Sequence, residues 1–166
     1  PISSQTEQDT RRYASFAKVP VFDPATPDQG WDMMQAAFDL SEQYSTPVIV
    51  RPTTRVDHSS TFVEIAETTQ ARPVPEEGFQ RDPRWVIFPR RAYQAHGEIN
   101  ARLAAMADDF SDIEPYAAFN PIVQGGDPAA EPRVGVMAGG VSAAYAREAL
   151  RVLEQRAAEA GEQLPA

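Results

Sequence analysis

Two short apolar runs, Val19-Pro20-Val21-Phe22 and Pro47-Val48-Ile49-Val50-Arg51, flank a stretch that carries helix signals from end to end. Each run is short, β-branched and bounded by turn residues, as a buried strand is. Asp23-Pro24 closes the first of them with a turn. Between the two, Thr26-Pro27-Asp28-Gln29 supplies a cap, a proline at the first helical position and a carboxylate in the first turn. Trp31, Met34, Phe38 and Ser41, with Ala37 and Leu40 beside them, repeat near the helical period and are expected to form the inner face. The helix should stop near Tyr44-Ser45, because Pro47 biases Thr46 away from helical backbone. Strand, helix and strand in this order leave few topologies, and a right-handed parallel crossover is the expected one.

In open parallel sheets ligands gather at the carboxyl ends of the strands. The segment after the second strand, Pro52 through Ser60, is polar and holds Arg55, Asp57 and His58, with Arg51 just before it. A polar end to an apolar strand suits a site or a domain interface, and equally a hydrogen-bonded loop in which Asp57 and His58 are surface residues. Upstream, residues 3–18 are expected to form a helix, with Ser4 and Glu7 spaced as a capping box. Its first turns are polar, while Tyr13, Phe16 and Ala17 supply an apolar patch that can dock on a core. Free amides and the helix dipole favour an anion at such an amino end. On spacing alone a solvated surface helix fits as well.

Further along, Thr61-Phe62-Val63-Glu64-Ile65 alternates like an edge strand. Residues 67–89 carry four prolines and read as a linker crossing a surface, tacked down by Phe79, Trp85, Ile87 and Phe88. A helix is expected over 90–109 with Tyr93, Ile99, Leu103 and Met106 as inner residues, and with His96 packed or solvated rather than catalytic. Residues 111–132 are rich in proline and glycine, which marks a boundary. Residues 133–138 should form a strand leading through Gly139-Gly140 into a helix from near Ser142, lined by Tyr145, Ala149, Val152 and Leu153. The glycines do not match the dinucleotide fingerprint, and no Lys-Ser/Thr follows. Tight strand-to-helix packing accounts for them better than a phosphate does.

A formal charge of −9 argues against nucleic acid and anionic membrane as partners. No long apolar run and no basic-then-apolar leader are present, so a cytoplasmic chain is expected. With no cysteine among its 166 residues, the chain by itself holds neither a disulfide nor an iron–sulfur cluster.

Two blocks then become recognisable. They are Pro1-Ile2-Ser3-Ser4-Gln5-Thr6-Glu7-Gln8-Asp9-Thr10-Arg11-Arg12-Tyr13-Ala14-Ser15-Phe16-Ala17 and Thr46-Pro47-Val48-Ile49-Val50-Arg51-Pro52-Thr53-Thr54-Arg55-Val56-Asp57-His58. Together they resemble the large (alpha) subunit family of indolepyruvate ferredoxin oxidoreductase, one of the thiamine-diphosphate-dependent 2-oxoacid:ferredoxin oxidoreductases. The Ser-Ser-Gln-x-Glu-Gln-Asp block is specific to this subgroup, and the resemblance extends through the Phe79–Pro89 region and Val134-Gly135-Val136.

The resemblance implies an α/β fold. Residues 1–65 would be the C-terminal half of a pyrimidine-type, parallel-sheet thiamine-diphosphate domain. Residues 66–130 would be a connector with one helix, and 131–166 the first strand and helix of a transketolase-C-like domain. Both ends would then be internal to a longer chain. The implied chemistry is oxidative decarboxylation of an aryl 2-oxo acid to its acyl-CoA, with electrons passed to ferredoxin. It uses thiamine diphosphate, magnesium and [4Fe-4S] clusters held elsewhere in the parent, together with coenzyme A and a small (beta) subunit or fused equivalent. The parent is expected to be an oligomer and the fragment alone inactive, with no catalytic residue and no metal ligand of its own.

By the same resemblance Ser3 and Ser4 face substrate with Arg12, and Gln5, Glu7 and Gln8 face the cofactor pocket. Arg51, Arg55 and His58 would lie at an interface or behind the site. An Arg fork suits a substrate carboxylate. On charge alone Arg11 is equally available, and Arg12 is singled out because it matches the family position. Thr6, Thr10 and Arg11 stand where many relatives carry asparagine, a small polar residue and histidine, which leaves other 2-oxo acids open. Two readings of other classes are a non-catalytic α/β interaction module and a nucleotide-binding domain resting on Gly139-Gly140.

Overall fold

The computed structural model describes residues 9–65, 73–123 and 134–162. At its centre are two short parallel strands, β1 (Val21–Phe22) and β2 (Ile49–Val50), with Val21 opposite Ile49 and Phe22 opposite Val50. The Ile49 amide donates to the Pro20 carbonyl at 3.0 Å and the Arg51 amide to the Phe22 carbonyl at 2.8 Å. The crossover is α2 (Pro27–Tyr44). The Thr26 hydroxyl accepts from the Gln29 amide, and the Gln29 side chain accepts from the Ala25 amide at 2.7 Å, so the two ends of this first turn hold each other. Ser45 ends the helix in left-handed backbone, as Pro47 leads one to expect. The Ser41 hydroxyl then donates to the Thr46 carbonyl at 2.8 Å.

The inner face of α2 matches the expected one only at Ala37 and Leu40. Met33, Ala36, Ala37 and Leu40 are buried, Leu40 completely, whereas Trp31, Met34 and Phe38 face outward. Both stripes are apolar at helical spacing. Only the alanine-bearing one lets the helix lie close on β1 and β2.

The same selection of a small residue operates in α1 (Thr10–Ala17), where Ala14 is buried. Phe16, expected to anchor the helix, is 89% exposed, and Tyr13 is exposed too. Lys18 ends α1 in left-handed backbone, and its ammonium donates to Asn100 Oδ1 at 2.8 Å.

After β2 comes one turn of helix, α3 (Thr54–Asp57). Residues 61–65 do not form the expected edge strand; Phe62 and Ile65 are exposed, with no neighbouring strand among the described residues to pair with. Phe79, Trp85, Ile87 and Phe88 do not tack down the proline-rich stretch, since all four are exposed around a 3₁₀ turn at Pro83–Trp85. The long helix α4 (Pro89–Asp112) does form. It buries Met106 and half-buries Leu103 and Ile99, while Tyr93 and His96 are exposed.

Behind α4, the segment expected to be a boundary instead completes the core. Phe110, Tyr116 and Phe119, the last in a 3₁₀ turn at Ala117–Phe119, gather around Phe22. Phe22 meets Phe110 edge-on at 5.6 Å and Phe119 perpendicular at 5.8 Å, the arrangement that ring quadrupoles favour. Val134–Ala138 is not a strand, and α5 (Val141–Ala160) starts directly from Gly140. The expected lining residues of α5, Tyr145 and Leu153, are about half exposed.

One polar clamp joins α2 to α4. The Tyr44 hydroxyl and the Gln43 amide both donate to Asp109 Oδ2. The hydrogen bond to Asp109, with burial second, pushes the Tyr44 phenol up from its usual 10 to about 12. A raised folded-state pKa stabilises fully below the unfolded value and loses that stabilisation as pH climbs through the folded one. The stability margin of the native chain over Tyr44→Phe is therefore expected to persist to about pH 10 and to vanish by about pH 12. Urea melts of the two proteins across that range measure it. A margin independent of pH would show that the clamp is unimportant.

Candidate functional site

The carboxyl ends of β1 and β2 deliver Asp23 and Arg51 side by side. Arg51 Nη1 donates to Asp23 Oδ1 at 3.2 Å and Oδ2 at 3.3 Å, with both side chains more than four-fifths buried. Arg11 on α1 brings a second guanidinium to 4.0 Å from Asp23 Oδ2. The main partner of Arg11 is the helix cap: its Nε donates to Asp9 Oδ1 at 2.8 Å and its Nη2 to Asp9 Oδ2 at 2.9 Å. The same carboxylate accepts from the Arg11 amide. This fork holds the Asp9 carboxyl down at about 2.

Arg12, one residue on, is exposed and takes part in none of the ion pairs between described residues. The two arginines that charge alone left equivalent thus differ in kind. Arg11 is locked into α1 and the sheet edge, and Arg12 is presented to solvent.

Gly140 closes the other side of this edge. Its φ of +56° lies where side chains are strained, and a Cβ placed there would come within 2.4 Å of Asp23 Oδ1. Gly139 has open space around it. The glycine pair therefore serves a close approach of α5 to Asp23, and it is Gly140 alone that is required. Arg55 of α3 lies 5.8 Å over the Tyr145 ring, a second tie between the β2 end and α5. His58 is exposed at the end of α3, its backbone amide donating to the Thr54 carbonyl. Arg51 and Arg55 are thus brought to one edge, each engaged by a different element, while Arg12 and His58 stand in solvent. Ser3, Ser4, Gln5, Glu7 and Gln8 lie outside the described residues.

Sequence reasoning missed Asp23 and the aromatic floor beside it. A cleft of about 410 Å³ opens between β1, the start of α2, the 110–121 segment and α5, with Phe22, Phe119, Gln29, Asp23 and Arg147 on its walls. That volume falls in the range of small-molecule sites, roughly 300–1,000 Å³. The aspartate directly after an apolar strand was the available signal. In the sequence that aspartate, followed by proline, has the signature of a turn.

Among the described residues no group of three or more His, Asp or Glu stands ready to hold a metal ion. No helix there is long and apolar enough to cross a membrane.

No protein-family model matches the chain, and no solved structure does. Curated proteins do match. The chain is 37% identical over 158 residues, 89% of its length, to the indolepyruvate oxidoreductase subunit IorA of Thermococcus kodakarensis. It is 35% identical over 154 residues, 92% of its length, to the subunit of the same name from Methanothermobacter thermautotrophicus. With that of Methanothermobacter marburgensis it shares 46% over 80 residues, 48% of the chain. The chain spans only 22% and 23% of the length of the first two relatives. Along nine-tenths of its length, then, the chain is similar to one internal stretch of the indolepyruvate oxidoreductase subunit IorA.

Proposed function

We propose that this chain is one wall of the active site of a 2-oxoacid:ferredoxin oxidoreductase subunit. In this reading the parent protein oxidatively decarboxylates an indolepyruvate-like aryl 2-oxo acid to its acyl-CoA and passes the electrons to ferredoxin. A small subunit or fused equivalent completes the assembly. The observation that carries the reading is the match to IorA subunits along nine-tenths of the chain.

Thiamine diphosphate, when bound in the parent, would supply the chemistry of 2-oxo acid decarboxylation. The described residues do not by themselves fit that cofactor. Asp23 is committed to Arg51, Asp9 to Arg11, and no cluster among them can hold the magnesium of a diphosphate. Gln5, Glu7 and Gln8 are assigned to the cofactor pocket and Ser3 and Ser4 to substrate on the resemblance of the opening block alone. The sheet edge has a positioning role in this reading: Asp23, Arg51 and Gly140 fix the end of β1 against α5, and Arg11 ties α1 to that edge.

Arg12 is the residue assigned to the substrate carboxylate. Its exposure beside a committed Arg11 supports the choice. In the full-length enzyme Arg12→Ala is expected to raise KM for the 2-oxo acid roughly ten- to a hundredfold, the worth of one charge-assisted contact of about 1.5–3 kcal/mol. Thiamine diphosphate affinity should stay unchanged, and Arg11→Ala should leave KM nearly alone. Steady-state kinetics on the three proteins decide it. An unchanged KM in Arg12→Ala would show that this arginine is merely solvated.

A further inference from the structure

The stripe of α2 that the core rejects is itself organised. Trp31, Met34 and Phe38, at i, i+3 and i+7, are 44%, 46% and 66% exposed, while Met33 next to them is 4% exposed. A helix with apolar residues on two faces is one that packs on two sides. Ser41 and Ser45 continue the outer row with small side chains. The row ends in a hollow of about 350 Å³, lined by Ser41, Glu42, Ser45, Thr46, Pro47 and the exposed Trp85. From Trp31 to Ser45 this exposed row is about 21 Å long at 1.5 Å per residue. That accommodates four turns of a second helix.

The charge along the row narrows the occupant. α2 contains no lysine or arginine. Asp28, Asp32 and Glu42 are exposed along one side of the apolar stripe. A second copy of α2 seated on this face would set acidic flank against acidic flank, which like-charge repulsion disfavours. A helix with an apolar face and a Lys/Arg flank fits instead. In the relatives, more than three-quarters of the subunit lies outside the matched stretch, which leaves ample chain within the same polypeptide from which such a helix could come.

We infer that the Trp31–Met34–Phe38 face of α2 is the seat of an amphipathic, basic-flanked helix from the remainder of the same subunit. This assignment stands independently of the substrate or cofactor of the enzyme.

The test is hydroxyl-radical oxidation of the full-length protein, read by mass spectrometry, with the adjacent Met33 as the internal reference. Met34 is expected to oxidise as slowly as Met33, roughly a fivefold or larger fall from the rate its present exposure would give, as in the water-free core of an interface. Phe38→Asp should restore oxidation at Met34 and leave Met33 protected. Zero-length carbodiimide cross-links from Asp28, Asp32 or Glu42 should reach lysines of the same polypeptide in a mixture of isotopically light and heavy copies. Rapid oxidation of Met34 in the native full-length protein would overturn the seat. Cross-links joining light to heavy copies would overturn the occupant.

Discussion

Phe22→Ala is expected to destabilise the chain by about 4–5 kcal/mol, near the top of the range for a buried aromatic cut to alanine. Phe22 is 2% exposed and sits where β1, α2, α4 and the Ala117–Phe119 turn meet. Removing its ring abolishes two edge-on contacts, to Phe110 and Phe119, as well as the apolar area it buries. Such contacts add about 0.5–1.5 kcal/mol beyond burial. The matched control is Phe16→Ala. It deletes the same atoms from a side chain that is almost wholly in water, so a change within about 0.5 kcal/mol is expected. Urea unfolding midpoints of the two variants against the native chain measure the contrast. Equal losses would mean that the core is not assembled around β1.

The second large effect is at Gly140. Gly140→Ala forces a side chain into left-handed backbone, a strain of about 1–3 kcal/mol. It also drives a methyl group into the Asp23 carboxylate. That carboxylate has little freedom to swing aside, because Arg51 holds both of its oxygens. A total of about 3–5 kcal/mol is expected, since moving Asp23 also loosens a mostly buried ion pair. Gly139→Ala, in open space one residue earlier, is expected to be nearly neutral. Combining Gly140→Ala with Asp23→Ala should cost less than the sum of the two, by about 0.5–3 kcal/mol, because without the Asp23 carboxylate the new methyl group meets no clash and the ion pair is lost only once. Strict additivity would show that α5 does not seat against the sheet edge.

The crossover was legible in the sequence because several independent signals coincide there: the cap at Thr26, the proline at Pro27, the stop before Pro47 and a β-branched run on β2. Orientation was not. α2 carries an apolar stripe on each side, and periodicity cannot say which one meets the sheet. The answer depends on how closely the backbones approach, which favours Ala36 and Ala37 over Trp31 and Phe38. Ala14 prevails over Phe16 in α1 for the same reason. Tyr116 and Phe119 were hidden because a 3₁₀ turn in a proline-rich segment has no period to detect, and Phe110 because it lies in the last turn of α4, just past the expected helix end. Val134–Ala138 has strand composition, yet pairing needs a neighbour that composition does not reveal.

The candidate site was legible as a place rather than as a set of residues. The polar segment after β2 marked the sheet edge correctly, and Arg51 and Arg55 are both engaged there. What the sequence concealed was the partner of each. Asp23 lies 28 residues from Arg51, and Tyr145 is on a helix in a different part of the chain. Arg11 and Arg12 were separated only by the cap geometry of α1, which turns one side chain back onto Asp9.

In the proposed function this chain serves an enzyme acting on an aryl 2-oxo acid. The most direct measurement is reduction of ferredoxin by the full-length protein given indolepyruvate, coenzyme A and thiamine diphosphate. Turnover is expected to require all three and to fall in Arg12→Ala through KM. Full occupancy by thiamine diphosphate with no reduction of ferredoxin by any aryl 2-oxo acid would contradict it.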